Sequence, residues 1–387
     1  MKKYLLSLVI MMMGASLFIS CLGDNKDDND TIEYVVTKGA LVINNGNAYN
    51  GIDGSLTHID FSTNPATAQQ NVFKKANGIS LGGTPNDVMV YGDKIYIAGS
   101  DENAVFVLNK KTFKLLERIS TTDDMGETEG VNPRSLTGYG SKVYVSTYGG
   151  YVGVIDTLTL SIDNKMYKVG STPEGLAIGT VSNGTNVEAF LYVANSDYSY
   201  GNGSISKINL SDGQVTTTSY EGVKNPQEIA VAGDILYVLD WGSYDENYNQ
   251  VGAGVYKISG NSVTKIVPDA TGMAAAGQLI LTFNSPYGSN KTTYSVYNIA
   301  YNILDTFTLT GDSSHPIISP SAISIEPNNS YVYIASRPID PDKGTASFTL
   351  PGFVNVYDLN GNFLGSFNAG VEPHKIAFSY GIAKLEY

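Results

Sequence analysis

One cysteine in the whole chain, Cys21, rules out an internal disulfide, so the position of that residue needs another explanation. Histidine is nearly as scarce. His58, His315 and His374 lie far apart, with no His-x-x-x-His or Glu-x-x-His spacing, and a histidine-bound metal has no support. Basic residues are outnumbered, 24 Lys and Arg against 37 Asp and Glu. Binding of phosphate polymers depends on clustered Lys and Arg, so no nucleic-acid partner is expected.

The N-terminus carries Lys2 and Lys3 ahead of an apolar run, Tyr4 to Ile19, that is short for a membrane span and ends in a small residue followed by Cys21. These are the charged, apolar and cleavage regions of a secretory signal. Leu22 to Asp30 is polar and acidic without apolar periodicity, as in a flexible tether. The expected organisation is a signal peptide over 1–20, a tether over 21–37 and one domain over 38–387. Loss of Lys2 and Lys3 with the leader leaves 22 of the 24 basic residues against 37 acidic ones, a net charge of −15.

The rest of the chain is organised around a repeated hairpin, seen best in Asn225 to Trp241. An apolar run, Ile229 to Val231, is followed by the turn Gly233-Asp234 and by Ile235 to Leu239, rich in strand-favouring residues. The same phrase follows Pro85, Pro133, Pro173, Ala270, Pro320 and Pro373, with an insertion after Pro173. These anchors average about 48 residues apart, the period of a four-stranded propeller blade. Third strands follow at Ala104–Leu108, Tyr151–Asp156, Ser204–Ile208, Val255–Ile258, Ser295–Asn298 and Val354–Asp358. The expected fold is therefore all-β, a seven-bladed propeller. Its first blade is split: Leu41 to Asn44 reads as a second strand, Ser55 to Phe61 and Val72 to Leu81 as third and fourth, and Pro373 to Phe378 supplies the missing inner strand. Pairing of the two termini would close the ring and leave no open sheet edge.

The middles of the inner strands are mostly small, Thr137, Ala177, Ala230, Ala274, Ser324 and Ala377, with Met89 the exception, as crowding near the axis requires. In this topology the start of each inner strand and the loop between second and third strands share one face. A polar residue follows each anchor there: Asn86, Arg134, Glu174, Gln227, Thr271, Ser321 and His374, a ring expected at the channel mouth. The second set of loops is rich in Tyr, Asn, Ser and Gly and contains Tyr148, Tyr198, Tyr200, Trp241, Tyr244, Tyr248, Tyr287 and Arg337. Such mixtures give wide contact area with adaptable hydrogen bonding, the composition of a binding surface. Arg134, Arg337 or a nearby lysine is a candidate to meet a ligand phosphate. Asp245-x-Asn247-x-Asn249 matches part of a calcium loop but lacks its glycine and terminal glutamate, so no metal is expected. Glu174, Glu228 and Asp87 form a candidate carboxylate group, yet no nucleophile accompanies them, and the chain reads as a binder, not an enzyme.

The Pro-x-x-Ile/Val/Leu, Leu-Tyr-Val-Ala-Asn and Gly-x-Val-x-Val-Ile-Asp phrases resemble YncE-like propellers from about Lys38 to the end. Phe18-Ile19-Ser20-Cys21 resembles a bacterial lipobox, and Lys26-Asp27-Asp28 the surface-export signal of Bacteroides-type lipoproteins. Together with the tyrosine-rich loops, the chain resembles the cobalamin-capturing surface propellers of those bacteria, the BtuG type. That resemblance implies a lipid anchor on Cys21, display on the outer membrane facing the exterior, capture of cobalamin as a transported ligand with no cofactor of its own, and hand-over to a TonB-dependent transporter. A glycan- or peptide-binding surface propeller is the alternative, and a channel-mouth hydrolase or lactonase using Glu174 and a cation a second. Cys21→Ala should abolish membrane retention, and alanines at Lys26-Asp27-Asp28 should leave the lipoprotein facing the periplasm; unchanged protease accessibility on intact cells would refute the export signal.

Overall fold

The structure, a computed structural model, describes residues 31–386 apart from 184–185, 198, 200, 202, 287–290 and 312–313. Seven four-stranded antiparallel sheets make up the domain. Blades 2 to 7 each run inner strand to outer strand in chain order, and their inner strands are Pro85–Tyr91, Pro133–Tyr139, Pro173–Asn183, Pro226–Ala232, Gly272–Ala276 and Pro320–Glu326. Blade 1 takes its inner strand, Pro373–Glu386, from the C-terminus and its second, Thr31–Asn44, from the N-terminus. The two pair antiparallel with Leu41 opposite Ala377 and Ala40 opposite Phe378, so the ring is closed by its own termini.

Each blade is packed on the next by its own apolar cluster. Leu41 and Ile43 of blade 1 meet Val88 and Ile95 of blade 2; Tyr96 and Val105 meet Leu136 and Val143; Ala335 and Val354 of blade 7 return to Val42 and Ile376 of blade 1. The register explains the small residues along the inner strands. Thr137, Ala177, Ala230 and Ser324 stand directly opposite Tyr144, Tyr192, Tyr237 and Tyr333 of the second strands, and directly opposed residues share a face of the sheet. A large ring one strand further out fills the space that a small residue leaves near the axis, which keeps the seam dense. Met89 also faces a tyrosine, Tyr96.

A second repeated device fixes the ends of the blades. The first residue beyond the second strand donates its N–H to the carbonyl just before the anchor of the same blade: Asn45 to Glu372 at 2.8 Å, Ser100 to Thr84 at 3.2 Å, Ser196 to Thr172 at 3.1 Å, Trp241 to Asn225 at 3.0 Å and Arg337 to Ser319 at 3.2 Å. In blade 6, where Ala270 replaces proline, the hydroxyl of Thr271 accepts from Ser285 N at 2.9 Å instead. Buried polar residues at the ends of second strands add to this clamp. Asp240 accepts from the N–H groups of Lys224, Asn225 and Gly242, and Asn195 accepts from Gly170 N while donating to Ser204 and Ser206.

Two sequence expectations change here. The fourth strand of blade 1 is Thr67–Gln69, while Val72–Asn77 is a short helix. Its apolar residues are adjacent, Val72 and Phe73 turning into the core, and Asn77 bonds back to Phe73 O and across to Phe113 O, both at 2.9 Å, so the segment satisfies its polar groups without a strand partner. The second strand of blade 1 also starts at Thr31, which places the expected boundary at Lys38 inside it. The insertion after Pro173 lengthens the first hairpin of blade 4, with Val181 opposite Glu188 and Asn183 opposite Asn186, and adds no separate element. Cys21 and Lys26 to Asp28 lie outside the described residues.

Truncation after Gly370 would remove the inner strand of blade 1 and leave the clusters at two seams open. The truncated chain should lose the cooperative melting of the full protein, measured by circular dichroism; an unchanged melting temperature would refute closure by the termini.

Candidate functional site: the channel mouth

The starts of the inner strands converge on one basin of about 120 Å³ at the mouth of the central channel. The seven residues that follow the anchors, Asn86, Arg134, Glu174, Gln227, Thr271, Ser321 and His374, all line it. Several of them are spent on one another. Asn86 donates to Arg134 O at 3.0 Å, Arg134 Nε meets Glu174 Oε2 at 3.0 Å, Gln227 donates to Asn225 Oδ1 at 2.8 Å, and Ser321 donates to Pro373 O. Most of these bonds run from one blade to its neighbour, so the polar ring stitches inner strands together as well as facing the lumen.

Glu174 is the most engaged of these residues. It accepts from Arg134 and from the Tyr148 hydroxyl, and the Arg134 guanidinium lies over the Tyr148 ring at 4.6 Å. Both arginines expected to meet a phosphate already hold a carboxylate. Arg134 belongs to Glu174, and Arg337 is held by Glu372 at 2.7 Å with its guanidinium over Phe348 at 4.9 Å. In a nearly dry setting a carboxylate takes the fork of donors that the arginine offers, and ligand anions must displace it.

Below this ring lies a second tier, of which the sequence singled out only Asp87 and Glu228, formed by the next residue of each inner strand: Asp87, Ser135, Gly175, Glu228, Gly272, Ala322 and Lys375. The tier is uneven. Three residues are charged and three are Gly or Ala. Lys375 of blade 1 reaches Glu228 of blade 5 across the lumen, Nζ to Oε1 3.6 Å, so an ionic crossbar spans the base of the basin. The charge of Glu228, with Asp87 adding to it, outweighs burial and holds the Lys375 ammonium above its ordinary range. Asp87 accepts from Val88 N, Leu136 N and Ser135 Oγ, and burial raises its carboxyl. The available signal was positional: two residues after each anchor, three blades carry a charge and three carry almost nothing.

The wall toward blades 5 and 6 is apolar, with Trp241, Met273 and Phe283 lining the basin. Trp241 is 39% exposed, and its Nε1 donates to Thr271 O at 3.1 Å, which pins the indole over the seam between the two blades. Beyond it rises a two-stranded finger, Ser243–Tyr244 paired with Gln250–Val251. Asp245 organises its tip, accepting from Asn247 N, Asn249 N and Asn249 Nδ2, and Gln250 Nε2 bonds to Trp241 O at 2.9 Å. Asp358-x-Asn360-x-Asn362 has the same bonding in a plain outer turn, which identifies the Asp245 pattern as a turn device. Tyr244 and Tyr248 stand out from the finger, the latter 87% exposed. Tyr49 and Phe348 are exposed on the same face, where Asn47 Nδ2 ties their loops together through Phe348 O at 2.9 Å. Tyr198, Tyr200 and Tyr287 lie outside the described residues. His58 packs on Phe113 with ring centroids 5.1 Å apart, away from the mouth. Among the described residues there is no cluster of His, Cys, Asp and Glu fit to hold a metal ion.

The chain matches no protein-family model and no curated protein. Among solved structures it is similar to the hydrazine synthase of Kuenenia stuttgartiensis, with a TM-score of 0.56 and 15% identity over 78% of this chain and 95% of that one. It is also similar to the WD40 repeats of RRP9, with a TM-score of 0.52 and 11% identity over 75% of this chain and 83% of that one. At these identities the likeness establishes the propeller fold and nothing about ligands.

Burial, and then the charges of Lys375, Arg134 and Arg337, push His374 down to about 3. A depressed histidine contributes stability that is present above its unfolded value near 6.5 and is lost as pH falls toward the folded value. Denaturant midpoints should therefore decline from about pH 6.5 toward pH 3, and His374→Gln should flatten that part of the profile. An identical slope in the variant would show that His374 is not the group responsible.

Proposed function

We propose that this chain is a surface lipoprotein that captures cobalamin or a related corrinoid at the channel mouth and passes it to a TonB-dependent outer-membrane transporter. The observation that carries the binding reading is the mouth itself, a concave basin with polar groups around its rim and an apolar wall of Trp241, Met273 and Phe283, beside which the finger holds Tyr244 and Tyr248 exposed. Two of its three carboxylates are committed to protein partners, Glu174 to Arg134 and Tyr148 and Asp87 to three donors, and no nucleophile accompanies the third, Glu228, which favours binding over acid–base chemistry.

The ligand class draws on the resemblance to corrinoid-capturing propellers together with this surface. A corrin is a broad, flat body fringed with amides, and would lie across the mouth with its ring against the finger and its amides over the polar ring. Arg134 and Arg337, already paired, have no part in this pose. Anchoring through Cys21 and display on the cell exterior rest on the lipobox and on Lys26-Asp27-Asp28.

Purified mature protein should bind cyanocobalamin at one site per chain by titration calorimetry, with quenching of Trp241, the only tryptophan. Trp241→Ala and Tyr244→Ala should each weaken binding by roughly 1–4 kcal/mol as interface anchors do. Absence of heat and quenching with cobalamin, beside saturable binding of a glycan, would transfer the assignment to a glycan-binding propeller.

A further inference from the structure

We propose that the Lys375–Glu228 crossbar is a receptor for a primary carboxamide carried by the ligand, an inference that rests on the corrinoid reading above. Among the charged groups of the described basin, this pair is the one open to the lumen: the side chains of Lys375 and Glu228 are 40% and 37% exposed. Arg134 and Glu174 satisfy each other, and Asp87 is saturated by three donors. At 3.6 Å the crossbar is too long for a good hydrogen bond, so each partner keeps capacity for an incoming group.

What fits between an ammonium and a carboxylate is set by charge. A ligand carboxylate would gain from Lys375 but meet Glu228 and Asp87; a ligand ammonium would gain from Glu228 but meet Lys375. A primary amide offends neither. Its carbonyl oxygen accepts from Lys375 Nζ while its N–H donates to Glu228 Oε1, and its own O and N lie about 2.2 Å apart, close enough to engage both partners of the pair at once. Room for such an arm comes from the uncharged part of the tier. Gly175, Gly272 and Ala322 add no long side chain to the lumen; a Cβ on either glycine would strike protein, Gln227 O at 2.7 Å for Gly175 and the Phe283 ring at 2.2 Å for Gly272, so both positions are held to glycine by close packing. The crossbar thus gives the basin a floor that selects one neutral, two-handed group.

The test is calorimetry with cyanocobalamin and with its monocarboxylic acids, in which one side-arm amide is hydrolysed, on the wild-type protein, Glu228→Gln and Lys375→Met. In the wild type, the acid made from the arm that enters the basin should bind about tenfold or more weakly than cobalamin, because a site built for a hydrogen-bonding group rejects its wrong partner strongly. Glu228→Gln removes the repulsion and should erase or reverse that preference, a change of selectivity that general loosening of the basin would not produce. Lys375→Met should weaken cobalamin by a similar factor; should it fail to fold, the selectivity of Glu228→Gln decides alone. Wild-type binding of cobalamin with no discrimination among the acids and none altered in Glu228→Gln overturns the carboxamide site and leaves the corrinoid reading standing. No binding of cobalamin to the wild type removes both.

Discussion

Seven sheets cannot approach one axis unless the strands nearest it carry little bulk, and that constraint governs the molecule. Thr137, Ala177, Ala230 and Ser324 meet it, and the tyrosines opposite them restore density one strand further out. The same crowding shapes the channel. Lys375 reaches Glu228 across a tier to which blades 6 and 7 contribute only Gly272 and Ala322. Packing of the wall and chemistry of the floor are consequences of one geometric limit.

Closure adds a second dependence. The long pairing of Thr31–Asn44 with Pro373–Glu386 converts an open array into a ring in which every blade has an apolar cluster on both sides. The same joint places Lys375 and His374, both from the closing strand, at the channel mouth. Stability of the ring and the electrostatics of the basin are therefore carried by the same fourteen-residue strand.

Polarity at the mouth serves two ends. Asn86, Arg134, Glu174, Gln227 and Ser321 face the lumen, yet much of their hydrogen bonding is consumed within and between blades. Burial makes that necessary, since an unpaired polar group there would cost about 1–3 kcal/mol. Contact surface is left to aromatic groups on a locally bonded backbone, above all the Trp241 to Tyr248 segment, where Asp245 and Gln250 bond locally and the Tyr244 and Tyr248 side chains are exposed. Such an arrangement is preorganised, so little order remains to be imposed when a ligand arrives.

Blade number, strand order and closure were legible in the sequence because they follow from local patterns repeated many times: an anchor, an alternating run, a Gly turn and a second run. The ring of residues after each anchor was legible for the same reason, since a fixed register puts equal positions on one circle. The helix at Val72–Asn77 was not, because a short apolar stretch does not distinguish a strand from a turn of helix and the decision fell to Asn77 and its partners 36 residues away at Phe113. Nor was the fate of the charges legible. That Arg134 is taken by Glu174, Arg337 by Glu372, and Lys375 of the last strand by Glu228 of the fifth blade depends on which side chains face each other across seams and across the lumen. Local sequence determines the repeat; distance through space, which only the closed ring defines, decides which ions meet and which remain open to a ligand.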